Sequence, residues 1–227
     1  MTVTEAVTRI KRSFPVRGGL LAAALLADPC VSAAADEPVE RGICKSLDLA
    51  VESIDRAPTA YRVFCRANLG ECELGGAPRL NWTPVLQHVL ERINNQVNAE
   101  IRFITDIENL GREEVWSYPD GGWGDCEDIA LEKRRRLVES GLPRGALTLA
   151  IIHHRSRYFS HTVLLAETSL GTLVLDNLTS KVNCWNDIDF NFETRERPDS
   201  RWDRYDQREW IYGPSIPAAQ TPKQSAN

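Results

Sequence analysis

The chain reads as an α+β domain in which a helix carrying a cysteine packs on an antiparallel sheet. Three observations lead there: an apolar stripe at helical spacing after Thr83-Pro84, a second helical segment that opens at Cys126, and three β-branched runs late in the chain, the last two joined by a short glycine-bearing turn. With 227 residues, 42% hydrophobic and 26% charged, the chain suffices for one sizeable core and lacks the bias of a collagen or a disordered tail. Residues 36–227 are read as a single domain with its core at about 60–212.

The opening segment is of another kind. Basic residues up to Arg17 precede the apolar run Leu20 to Ala27, and the small residues Ser32, Ala33, Ala34 and Ala35 follow. That order is a secretory signal peptide over residues 1–35, cleaved near Ala35. The run falls well short of the roughly 20 apolar residues a spanning helix needs, so an uncleaved anchor is the weaker reading. The remaining chain carries 23 basic and 30 acidic residues, a formal charge of −7, which disfavours a nucleic-acid platform.

Between Glu37 and Ala60, prolines, charges and short apolar stretches alternate, as in an arm laid over the domain. Thr83 supplies an N-capping hydroxyl and Pro84 sits where its missing N–H costs nothing, so a helix starts there. Its stripe is Val85, Leu86, Val89, Leu90, Ile93 and Val97. Ile101 to Ile107 is left as strand or loop, and Asp120-Gly121-Gly122 is a loop. The second helix begins at Cys126, with Asp125 as N-cap, Asp128 as the acidic N3 residue, Lys133 to Arg136 in its last turns and Gly141 as the stop. Leu147–Ile152, Thr162–Ala166 and Thr172–Leu175 are strands. If Ala166 faces Gly171 in the hairpin between the last two, His161 falls opposite Asp176 on the same face. A slip of one residue would separate them.

Export gives the cysteines an oxidising compartment. Without Cys30, five remain, an odd number. Cys65 and Cys72 enclose a short polar segment and make the economical local bridge, which leaves a Cys44–Cys184 bridge open and Cys126 over. A free cysteine is commonly a buried small hydrophobe, but this one stands in the first turn of a helix, where partial positive charge and free N–H groups favour thiolate. With His161 as general base and Asp176 as its orienter, the three form the set an acyl-transfer nucleophile requires.

Other chemistries find little support: no HExxH, CxxC or phosphate-cradling glycine loop is present, and adjacent His153 and His154 on a strand point to opposite faces. Asp125, Glu127 and Asp128 crowd three carboxylates around the thiol, which opposes thiolate unless they cap, point away or hold a cation. A hard divalent ion with oxygen ligands, calcium outside the cytosol, resolves that conflict. The equal alternative is that these acids only favour the helix N-terminus.

Asn94-Asn95-Gln96-Val97-Asn98, Thr105-Asp106, Trp116 with Pro119, Gly124-Asp125-Cys126-Glu127-Asp128 with Lys133-Arg134, His161-Thr162-Val163-Leu164 and Leu175-Asp176-Asn177 follow in an order that resembles the bacterial transglutaminase-like cysteine proteinases, exported members of the papain-like clan. The resemblance is close over about Trp82 to Val182, and paired Cys65 and Cys72 also look like the family's N-terminal region. It implies a papain/transglutaminase-like fold with Cys126 as nucleophile, His161 as base and Asp176 as orienter. It further implies calcium at Asp125 and Glu127, a periplasmic or secreted enzyme, a protein substrate such as a cell-surface adhesin, and a membrane-bound regulator. Asn186 to Trp210 fits the family pattern less well.

The resulting expectation is a cysteine peptidase that works through a thioester acyl-enzyme. The Cys126 backbone N–H is one oxyanion donor and Asn98 or Trp116 the candidate second. Two rivals stand beside it: a transglutaminase in which a lysine amine takes the acyl group, and a catalytically silent periplasmic binding protein that keeps the three residues as scaffold.

Overall fold

The computed structural model describes residues 44–157 and 159–205; the expected signal peptide lies outside them. Seven strands form one antiparallel sheet in the order β1-β9-β8-β4-β5-β6-β7. They are β1 (Val51–Arg56), β4 (Leu147–His154), β5 (Ser160–Thr168), β6 (Gly171–Leu175), β7 (Asn183–Cys184), β8 (Phe190–Glu196) and β9 (Arg201–Tyr205). A two-stranded parallel ribbon joins β2 (Arg102–Phe103) to β3 (Trp123–Gly124). The helices are α1 (Thr59–Ala67), α2 (Pro84–Glu100), α3 (Asp106–Leu110) and α4 (Cys126–Glu139).

The α2 start follows from its cap: the Thr83 hydroxyl accepts the Leu86 N–H at 3.0 Å, with Pro84 in the first turn. Leu86, Leu90, Ile93, Asn94 and Val97 form its buried face, whereas Val85, counted in the apolar stripe, is 73% exposed. In the segment left as strand or loop, β2 is followed by the five-residue α3, opened by a capping box between Thr105 and Glu108.

The β5–β6 hairpin corrects the expected register. Thr168, not Ala166, faces Gly171, and Leu164 faces Leu175. Gly171 has φ 142°, and a Cβ there would sit 2.6 Å from the Lys45 carbonyl oxygen, so glycine alone allows the two-residue turn to close against the chain. The Thr168 hydroxyl accepts the N–H groups of Leu170 and Gly171, both at 3.2 Å, and fixes the turn. The displacement is two residues, an even number, so every side chain keeps its face.

Helices cover one face of the sheet. The other carries Ala150, Ile152, Val163, Leu165, Val174, Phe190, Phe192 and Tyr205, with Leu47, Leu49 and Trp185 packed on them. Cys44–Cys184 ties the segment before β1 to β7, and Cys65–Cys72 closes the loop after α1. Strand β1, read from the sequence as part of an arm, pairs with β9 as the sheet edge.

Charge governs α4. Glu127, Asp128, Glu132, Lys133 and Arg134 are all buried. Arg134 is fully buried and its Nη1 meets Glu196 of β8 at 2.7 Å. Glu196 also accepts the Leu149 N–H at 3.1 Å and the Tyr61 hydroxyl, while Arg134 Nη2 donates to the Glu71 carbonyl at 3.2 Å. One pair thus binds α4 to β8, β4, α1 and the Cys65–Cys72 loop. Removing one member strands the other charge in the interior, which typically costs about 3–5 kcal/mol. Glu196→Ala is therefore expected to lose stability on that scale in urea denaturation. A loss below about 1 kcal/mol would show that the pair is not what fastens α4.

Candidate active site

Cys126 is the first residue of α4, and its thiol is half-buried and outside both disulfides. The N–H of Thr162 points at the sulfur, which brings the thiol to β5 next to His161. His161 is buried, and its Nε2 lies 2.7 Å from Asp176 Oδ1. Asp176 is the residue after β6 ends, and the Leu178 N–H donates to the same Oδ1 at 2.9 Å. Because the true register pairs Leu175 with Leu164, His161 and Asp176 meet diagonally instead of face to face. Same-face parity brings them together.

The loop that carries Asp176 is clamped from α2. Asn98 Nδ2 donates to the carbonyls of Asp176 at 3.0 Å and Thr179 at 3.1 Å, and Asn94 Nδ2 to Thr179 at 3.1 Å. Both donors of Asn98 are therefore occupied, which removes it as the second oxyanion donor. Trp116, the other candidate, is buried with its ring against Tyr61 and Trp202, at centroid distances of 5.2 and 6.3 Å. It belongs to the aromatic core. Phe159 and Phe190 flank the His161 ring at 6.1 and 5.7 Å and wall off the His161–Asp176 bond.

Burial opposes ionisation of Asp176, yet the hydrogen bond and charge of His161, the Leu178 N–H and the charge of Lys133 outweigh it and hold the carboxyl below its usual range. The other side of the thiol is the reverse. Burial, followed by the negative charges of Glu127 and Asp125, pushes the Cys126 thiol up. Burial lifts Asp125 to about 6, Glu127 to about 9 with the Asp125 charge as second cause, and Asp128 to about 8. Asp125 is the N-cap residue by position, but its side chain makes no capping hydrogen bond. Asp128 accepts the Ser117 N–H at 2.7 Å.

Asp106, Asp125 and Glu127 each offer a carboxylate oxygen within 4.8 Å of the others. Asp125 Oδ1 is buried without a hydrogen-bond partner, and no cation pairs with any of the three among the described residues. Oxygen-only donors with an unsatisfied buried lone pair suit a hard divalent ion. Asp106 was absent from the ligand set read from the sequence. It lies 19 residues before Asp125, and its only local mark is Thr105-Asp106 opening α3, where its carboxylate also accepts the Val115 N–H.

The fold and the site together define a transglutaminase-like cysteine peptidase. The model of the bacterial transglutaminase-like cysteine proteinase family matches residues 51–210, and the chain belongs to that family. Among solved structures it is similar to LapG of Legionella pneumophila in the calcium-bound form, with 25% identity, 56% of this chain and 74% of that chain covered, and a TM-score of 0.47. A second LapG structure gives 26% identity, 57% and 75% coverage and a TM-score of 0.46. The EGTA-treated form gives 25% identity, 58% and 77% coverage and 0.46. No curated protein matches the chain.

The raised carboxyls fix the sign of a pH dependence. Each binds a proton in the folded state at pH values where the unfolded chain has lost it, so stability falls as pH rises from the unfolded values near 4 through folded values of about 6 to 9. In chelator, the melting temperature is expected to fall between pH 5 and 7, below the range in which Lys133 loses its proton and acts in the opposite sense. A flat or rising profile in differential scanning fluorimetry would contradict the carboxyl cluster.

Proposed function

We propose that this protein is an exported cysteine peptidase that hydrolyses a protein substrate through Cys126, His161 and Asp176, with an acidic calcium site beside the nucleophile. The carrying observation is the buried 2.7 Å contact between His161 and Asp176 next to the strand position whose N–H faces the Cys126 sulfur. Asp176 occupies Nε2 of His161, so proton exchange with the thiol falls to Nδ1. His161 takes the thiol proton as sulfur attacks a peptide carbonyl, then gives it to the departing amine. The acyl group remains as a thioester on Cys126 until His161 activates a water to release it. The Cys126 backbone N–H, unpaired at the start of α4, faces developing negative charge at the positive end of the helix dipole.

Calcium enters this reading through Asp125 and Glu127, now joined by Asp106. When bound, a divalent cation supplies positive charge beside carboxylates that otherwise oppose an anionic sulfur. Two disulfides support a location outside the cytosol, the periplasm or the medium. No helix among the described residues is long and apolar enough to cross a membrane. The substrate class is an exported or surface protein, with an adhesin as the family-based candidate.

Mass spectrometry of a surface-protein extract from the producing cell, treated with the purified enzyme, tests the reaction. New N-termini that require Cys126 and His161 are expected. Incorporation of a primary amine at glutamine without new N-termini would make the protein an acyl transferase instead. For the metal, calcium is expected to raise the melting temperature of the unmodified protein, and Asp106→Asn, Asp125→Asn and Glu127→Gln to reduce that rise by similar amounts. If Asp106→Asn leaves the calcium response whole, Asp106 is not a ligand.

A further inference from the structure

Lys133 has no part in the chemistry described above, yet it is only 1% exposed in the centre of the molecule. It lies on α4 seven residues after Cys126, with Ala130 between them, so the three share one helix face. That face carries the thiol toward β5 and, two turns on, the ammonium toward the end of β6. No carboxylate forms an ion pair with Lys133 among the described residues, and the one charge acting on it is that of Asp176. Its neighbours on α4 are handled otherwise: Arg134 pairs with Glu196, and Arg135 and Arg136 both pair with Glu132. From α2, the Asp176 loop meets only the uncharged Asn94 and Asn98, whose amide oxygens are buried and unpaired. His161 on β5 and Lys133 on α4 are the two basic groups that Asp176 faces.

We propose that Lys133 is a positioning residue for catalysis, a buried ammonium behind Asp176 that keeps its carboxylate ionised and aimed at His161. The inference rests on the Cys126, His161 and Asp176 reading given above and adds a fourth member that never touches substrate. A lone buried ammonium is costly to the fold, because desolvation favours its neutral form. Burial accordingly pushes the Lys133 amine down to about 7. A methionine of similar length would pack there without that cost, so the charge opposes the fold, and the one charge acting on it is that of Asp176.

Lys133→Met and Lys133→Arg, made in the purified exported protein, separate this role from a structural one. The chain has four histidines, so the Nε2–H proton of His161 is assignable by nuclear magnetic resonance through its loss in His161→Ala. In Lys133→Met that resonance, which depends on the bond to ionised Asp176, is expected to vanish on acidification at a higher pH than in the unmodified protein. Lys133→Arg, which keeps the charge, should restore the original midpoint. The Lys133→Met melting temperature is expected to rise, most below pH 7 and progressively less above it, since the folded lysine loses its proton near there while the unfolded one stays charged. An unchanged His161 midpoint in Lys133→Met, with or without a fall in melting temperature, overturns the proposal and makes Lys133 a packing residue. If Asp176→Asn leaves the His161 resonance unaffected in the unmodified background, the His161–Asp176 reading fails first and takes this one with it.

Discussion

Helix α4 is surrounded on nearly all sides while carrying a sequence that is mostly charged, and the rest of the domain is arranged to meet those charges. A buried ion left without a partner costs several kcal/mol, more than most single contacts contribute. Several of the buried groups on α4 recruit other elements, while Glu132 pairs within the helix with Arg135 and Arg136. Arg134 draws in Glu196 from β8, and through it Tyr61 of α1 and the Leu149 N–H of β4; Asp128 draws in the Ser117 N–H from the loop before β3. Lys133 lies under the charge of Asp176 just past β6, whereas Glu127 meets only other carboxylates, Asp125 and the α3 residue Asp106. Apolar burial drives collapse, but apolar surfaces slide. The polar contacts specify which strand and which loop lie against which turn of the helix.

The two ends of α4 are treated oppositely. Toward its C-terminus, positive side chains find carboxylates at hydrogen-bonding distance. Toward its N-terminus, Asp106, Asp125 and Glu127 gather with no side-chain cation among the described residues and with one buried oxygen unsatisfied. The helix dipole offsets roughly half a charge there, too little for three carboxylates. Burial answers the problem here by raising Asp125 to about 6 and Glu127 to about 9, so this end of the helix holds protons where Arg134 holds a carboxylate.

How much of this the sequence discloses depends on range. The α2 cap, the start of α4 at Cys126 and the hairpin turn rest on contacts between near neighbours, so local chemistry exposes them. Strand β8 alternates buried and half-buried residues over Phe190–Glu196, but its last inward position is Glu196, and an inward glutamate is intelligible only once Arg134 is known to face it. The pairing of β1 with β9 joins residues about 150 apart and leaves no local trace. Asp106 carries no local sign of a ligand role, because its distance from Asp125 is closed by the β2–β3 pairing that sets α3 beside the α4 N-terminus.

In the β5–β6 hairpin only an odd slip of register would part His161 from Asp176. A register wrong by two residues still puts His161 and Asp176 on one face, since side-chain direction repeats every second residue. Parity alone leaves a diagonal gap too long for a direct hydrogen bond between strand partners. The gap is closed because Asp176 lies just past the last paired residue, where the chain is free to turn inward, and because Asn98 and the Leu178 N–H hold it there. Asn98 belongs to α2, Cys126 to α4 and His161 to β5. The relative placement of Cys126, His161 and Asp176 is thus set by how two helices pack on one hairpin, so a change in the α2–α4 contact far from the sulfur would shift the loop that bears Asp176.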